Sequence, residues 1–251
     1  MGCDYVRFFV GLHQPSDAQK VMPTPAFISV NRLRARRGPF VVGDWIMDSG
    51  AFSTIAKHGG YPLPVSEYAE QIARFAICGN LLAAVAQDYM CEPAMLARTG
   101  MTVREHQDLT IQRYVDLLAC NPTVYIMPVL QGYAPSEYVD HVRAYGDMLG
   151  SEAWVGVGSV CKRNGHPSAV AAVLRAIHRE RPDLRLHGFG LKTSALHYAE
   201  VRDRLHSADS MAWSYAARKN GRNGNDWREA VGFAQSINGQ SVQLPLGMEC
   251  S

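Results

Sequence analysis

Short apolar runs alternating with segments of helical spacing constrain this chain more than any other feature of its sequence. Phe8 to Leu12 (FFVGL), Ala26 to Val30 (AFISV), Trp45 to Asp48 (WIMD) and Leu81 to Ala86 (LLAAVA) read as buried strands. Val124 to Leu130, Trp154 to Ser159 (WVGVGS), Leu184 to Lys192 and the run that ends at Asp209 continue the series. Helical spacing is predicted over Val65 to Ile77, Thr102 to Leu118, Ser136 to Leu149, Pro167 to Arg179 and Ser194 to Leu205. Thr102 and Glu105 form a capping-box pair, and Asp226 and Glu229 repeat that spacing before one more helix. Ser241 to Leu246 (SVQLPL) reads as a last strand. This makes seven or eight short strands, most followed by a helix, with no linker and no low-complexity stretch. The economical architecture is α/β, a single (β/α)8 barrel over residues 1–251. A doubly wound open sheet is the alternative, and it requires a topological switch point.

In a barrel the strands' C-terminal ends carry the chemistry, so the residues there matter most. Three of the runs end on an acid: WIMD at Asp48, LLAAVAQD at Asp88 and SAD at Asp209. A single such Asp reads most simply as a helix cap, but three of them on strand ends suggest a shared site. Gly50 and Ala51, just after Asp48, would let a flat ligand approach the backbone, and Phe52 could stack a ring on it. Gln131, at the end of Val124 to Leu130, is suited to a purine edge or, more simply, to a loop backbone. The Gly156-Val157-Gly158 turn lacks the further glycine and the later acid of a dinucleotide fingerprint.

Charge and cysteine usage exclude several classes. With 25 basic and 23 acidic residues the net charge is +2, so no global field draws the chain to a polyanion, and any phosphate contact must be local. Arg32, Arg34, Arg36 and Arg37 cluster in one loop, and Arg218, Lys219 and Arg222 follow the Asp209 strand. Each cluster reads equally as solvated surface. The cysteines Cys3, Cys78, Cys91, Cys120, Cys161 and Cys250 form no CxxC or CxC pair, which suggests neither a zinc site nor a disulfide framework and fits a reducing cytoplasm. The longest apolar runs are too short to cross a bilayer.

Taken as an ordered set, MDSGAF at Met47 to Phe52, QDY at Gln87 to Tyr89, LQG at Leu130 to Gly132, VGVGS at Val155 to Ser159, HGFG at His187 to Gly190 and DSMAWSYAARKNG at Asp209 to Gly221 resemble the tRNA-guanine transglycosylases. QDYMCEP and GSVCKRNG look most like the branch that inserts 7-deazaguanines into DNA. The resemblance implies base exchange in a polynucleotide, with Asp209 as the nucleophile at C1′ and Asp48 as the general acid and base. It implies that Asp88 and Gln131, with Gly132, hydrogen-bond the purine edge, that Phe52 stacks on it, and that Val155, Gly156, Gly158, His187 and Gly188 complete the base pocket.

Arg32, Arg34, Arg36, Arg37, Lys162, Arg163, Arg218, Lys219 and Arg222 become candidates for phosphate contacts. The partners implied are guanine-containing DNA and a free 7-deazaguanine such as preQ0, with further proteins of a DNA-modification system and a homodimer compatible with the resemblance. The tRNA enzymes carry a Cys/Cys/Cys/His zinc site after the nucleophile strand. Here no His follows His206 and only Cys250 lies beyond Asp209, so no zinc subdomain, metal or other cofactor is expected. The same exchange on tRNA, and a non-catalytic nucleic-acid-binding subunit, are the alternatives.

Overall fold

The computed structural model describes residues 6–163 and 165–238; the strand expected at 241–246 lies outside them, as do Cys3 and Cys250. It contains strand segments β1 (Arg7–Gly11), β2 (Ala26–Ser29), β3 (Asp44–Asp48), β4 (Asn80–Val85), β5 (Ile126–Met127), β6 (Val129–Leu130), β7 (Trp154–Val157), β8 (Arg185–Gly188) and β9 (Ser207–Ser210). All pair in parallel, in the order β5-β4-β3-β2-β1-β9-β8-β7-β6.

The two ends of that order are one stave. β5 and β6 are separated only by Pro128. On one side Tyr125 and Met127 carbonyls accept from Ala84 and Ala86 of the β4 stave, and on the other Pro128 and Leu130 carbonyls accept from Gly156 and Gly158 of the β7 stave, each at 2.9 Å. The sheet therefore closes on itself as a barrel of eight staves, and the open-sheet alternative, which needs two separate edges, falls away. Pro128 has no N–H. The register places its nitrogen opposite the Trp154 carbonyl, and the Tyr125 hydroxyl donates there instead, at 2.9 Å.

Around the barrel run α1 (Ala51–His58), α2 (Val65–Phe75), α3 (Pro93–Thr99), α4 (Val103–Ala119), α5 (Pro135–Tyr145), α6 (Pro167–Glu180), α7 (Ala212–Lys219) and α8 (Trp227–Asn238), with shorter helical turns between. Helix α2 buries Val65, Tyr68, Ile72 and Phe75, a single stripe at helical spacing. The Thr102–Glu105 capping box forms as expected, with Thr102 N donating to Glu105 Oε2 at 2.7 Å.

The second expected box does not form. Asp226 caps Arg228 N at 3.0 Å, while Glu229 is drawn to Arg222 at 2.6 Å. The helix expected over Ser194 to Leu205 is two turns, Thr193–Leu196 and Ala199–Arg202. One continuous helix would turn the buried Leu196 and Leu205 to opposite faces; a break at Tyr198, whose backbone is extended, lets both face inward. Helices α1, α3 and α7 are additional to the sequence expectation.

Inside the barrel, side chains from four staves and the segment after β8 meet ring to ring. Phe9 lies 6.1 Å from Trp154 and 6.0 Å from His187, and Phe27 stacks on His187 at 5.7 Å with 14° between planes. Phe189 fits because Gly156 has no side chain: a Cβ there would sit 2.4 Å from the Phe189 ring. The GxG turn is thus a packing device. Gly156→Ala is expected to overpack this layer by about 1–3 kcal/mol and to lower the melting temperature by roughly 2–10 °C in a chain of this size. Calorimetry checks this, and an unchanged transition would mean that the Phe189 ring moves aside at no cost.

Candidate active site

The strand C-termini gather the three acids at one mouth. Asp48 closes β3 opposite Ser29 of β2, Asp88 follows β4, and Asp209 lies in β9. The titrations of Asp48 and Asp88 show how close the acids lie. Burial first, and then the charge of Asp209, push Asp48 up to about 6 against hydrogen bonds from Ser29 and the Ser49 and Gly50 backbone. Burial, then Asp48 and Glu92, push Asp88 up to about 7 against the Gln131 amide. A carboxyl near 6 can both give and take a proton around neutrality.

Asp209 is buried, and among the described residues the donors to its carboxylate converge on one oxygen. Gly190 N reaches Oδ1 at 3.1 Å and His187 Nε2 at 3.3 Å. Gly190 provides that amide from a left-handed turn, φ +63°. His187 is fully buried, and its Nδ1 faces Ser207 Oγ at 2.9 Å, to which the Trp154 indole N–H donates at 2.7 Å.

Gln131 is clamped as firmly. Its Nε2 donates to Asp88 Oδ2, its Oε1 accepts from Ser159 Oγ at 2.7 Å, and that same hydroxyl accepts from Cys91 N at 3.0 Å. Gly158 makes the room: a Cβ there would sit 2.1 Å from Gln131 Nε2. Tyr61, which the sequence reading passed over, adds a hydroxyl donating to the Asp88 carbonyl at 2.9 Å.

Other expected pocket residues are placed differently. Val155 and Gly156 lie within the β7 ladder, where Gly156 N is engaged by Pro128, so neither sits at the strand end. Gly188 is a packing position, its missing Cβ occupied by Leu191 at 2.5 Å, and Gly132 packs against Glu137 and Tyr138. The space where a Gly50 side chain would stand is filled by Asn31, whose Nδ2 would lie 2.3 Å from a Cβ. Phe52 stands in the first turn of α1, 49% exposed.

The basic candidates divide. Arg34 pairs with Glu67, Arg36 donates at 2.9 Å to the Gly38 and Pro39 carbonyls, Arg163 lies 4.6 Å over the Tyr133 ring, and Arg222 pairs with Glu229. Arg32, Arg37, Arg218 and Lys219 are exposed. The side chain of Lys162 lies outside the described residues. A further group joins Arg32 and Arg218 at the mouth: His13, after β1, bonds Ser214 Oγ at 2.8 Å, to which Arg218 donates at 2.9 Å. Burial, and then Arg32 and Arg218, hold His13 below its ordinary value.

Residues 5–229 match the family model DpdA, DeoxyPurine in DNA protein A. The chain belongs to the DpdA family. This is the DNA 7-deazaguanine branch that the ordered motifs resemble, and DpdA membership supports transglycosylase chemistry in DNA modification. No curated protein matches the chain. Among its described residues this DpdA barrel has no group of three His, Cys, Asp or Glu able to hold a metal ion, and Cys78, Cys91, Cys120 and Cys161 are free thiols. No helix among them is long and apolar enough to cross a membrane.

Proposed function

We propose that this chain, as one barrel domain, exchanges guanine in DNA for a free 7-deazaguanine base such as preQ0. The observation that carries the reading is the buried Asp209 carboxylate, held by one oxygen at a barrel mouth, with a second carboxyl poised at about 6 beside it. Asp209 Oδ2 attacks C1′, the C1′–N9 bond breaks, and the electron pair leaves with guanine, which takes a proton from Asp48. The incoming base returns a proton to Asp48 as its nitrogen attacks C1′ and frees the Asp209 carboxylate.

Retention follows from the two displacements. Asp88 accepts from the N1 and N2 hydrogens of a guanine-like base, and the second Nε2 hydrogen of Gln131 is the donor for its carbonyl. His13, Arg32 and Arg218 track the phosphates beside a nucleotide turned out of the helix. DNA as substrate puts the chain in the cytoplasm, with any partner proteins of the modification system.

Incubation with labelled preQ0 and, in parallel, guanine-containing DNA and tRNA tests this reading. Label is expected in DNA. Label in tRNA alone would transfer the proposal to the tRNA reaction, and label in neither would leave a nucleic-acid-binding subunit.

A further inference from the structure

We infer that His187 is a positioning residue for the nucleophile, and that the relay Trp154–Ser207–His187 fixes which oxygen of Asp209 attacks and how readily the covalent intermediate breaks down. The inference deepens the proposed base exchange and rests on it. Sequence reading put His187 in the base pocket, but neither ring nitrogen is available there. Nε2 faces Asp209 Oδ1 at 3.3 Å and Nδ1 faces Ser207 Oγ at 2.9 Å, in a ring with no exposed surface.

The direction of the relay follows from its two ends. An ionised carboxylate can only accept, so the His187 Nε2 facing Asp209 Oδ1 carries a hydrogen, and an indole N–H can only donate, so Ser207 Oγ accepts from Trp154 Nε1 at 2.7 Å and has its own hydrogen for His187 Nδ1. A neutral imidazole that accepts at Nδ1 carries its hydrogen on Nε2, directed at the carboxylate. The ladder builds this arrangement in: His187 of β8 pairs with Ser207 of β9, and Asp209 is two residues further on the same face. Phe27 and Phe9 pack against the imidazole and hold its plane.

With Gly190 N and His187 Nε2–H both on Oδ1, Oδ2 is the oxygen presented to C1′. When Oδ2 bonds to C1′ and guanine leaves, Oδ1 becomes the carbonyl oxygen of a neutral ester. Hydrogen bonds to a carboxylate are stronger than those to an ester carbonyl. The two donors therefore favour the free carboxylate, hold the adduct's population down, and make Asp209 a better leaving group when the incoming base attacks.

The test follows the adduct in the full chain with a guanine-containing DNA oligonucleotide and preQ0, quenched in denaturant over time. His187→Phe keeps an aromatic ring against Phe27 but lacks the donor; His187→Gln restores an amide N–H near the Nε2 position. The Phe variant is expected to accumulate Asp209-linked DNA and to turn over about 10- to 100-fold more slowly, the scale of one hydrogen bond to a charged group. The Gln variant is expected to recover most of both.

Ser207→Ala, which leaves His187 in place but frees its tautomer, is expected to shift the partition the same way by less, and it decides the matter if the Phe variant does not fold. Wild-type partition in His187→Phe, or a slowing of both steps with no accumulation and no rescue by Gln, would overturn the role of His187 while the exchange reaction stands. Absence of preQ0 incorporation into DNA by the unaltered chain would instead overturn the exchange reaction, and this inference with it.

Discussion

Asp209→Ala is expected to abolish base exchange, by about 10⁴-fold or more, because it removes the carboxylate proposed to form the bond to C1′. The loss should fall on the first chemical step. No DNA becomes attached to the protein, and no guanine is released in a single turnover, while DNA binding persists through the rim cations. Alanine would leave the Gly190 amide and the His187 Nε2–H, both now bonded to Oδ1, without their acceptor. Stranding buried donors costs about 1–3 kcal/mol each. Asp209→Asn avoids this by keeping an oxygen at the Oδ1 position, so it separates loss of chemistry from loss of fold. An Asn variant that still forms the adduct at the wild-type rate would remove Asp209 from the nucleophile's role.

Asp88→Asn is expected to act in opposite directions on activity and stability. In the folded chain Asp88 is pushed up to about 7 from an ordinary 3.8. A carboxyl whose folded pKa is raised contributes its full stability below the unfolded value and loses it as pH rises through the folded one. At pH 8 the wild type therefore holds a buried charge that costs on the order of 4 kcal/mol. Asn at this position carries no charge and can still accept from Gln131 Nε2. Chemical denaturation should show the variant more stable than wild type by a few kcal/mol at pH 8, with the gap closing toward pH 4. Activity should fall by about 10²–10⁴-fold, since an amide cannot accept both hydrogens of the guanine edge. A stability difference that does not change with pH would mean that Asp88 is not the strained group described.

How much of this was legible in the sequence depends on how local each signal is. Asp48, Asp88 and Asp209 could be found because each ends an apolar run, and the barrel could be inferred from the alternation of strands and helices. The same alternation did not show that Val124 to Leu130 is split at Pro128, because closure depends on what the two neighbouring staves do. Arg34 looked like a phosphate contact because its partner, Glu67, lies on another helix.

Gly190 escaped notice because its contribution is a backbone amide. His187 was assigned to the pocket from its motif alone. Ser207 and Asp209 stand two apart on one strand, a spacing that places both on the same face, and this was a signal for the group beneath the nucleophile. The glycines of the GxG turn were legible as glycines, but their purpose, room for Phe189 and Gln131, exists only in three dimensions.

Burial at the barrel mouth also affects how the substrate arrives. A strand of DNA carries a negative charge on every nucleotide, and three fully ionised acids in one pocket would repel it. With Asp48 near 6 and Asp88 near 7, the pocket at neutral pH carries less negative charge than its three acids would in water. Arg32 and Arg218 stand close by, within electrostatic reach of His13. A negatively charged strand would thus meet an entrance whose acids burial has already partly discharged, so the same desolvation that raises Asp48 and Asp88 also lowers the repulsion against a polyanion.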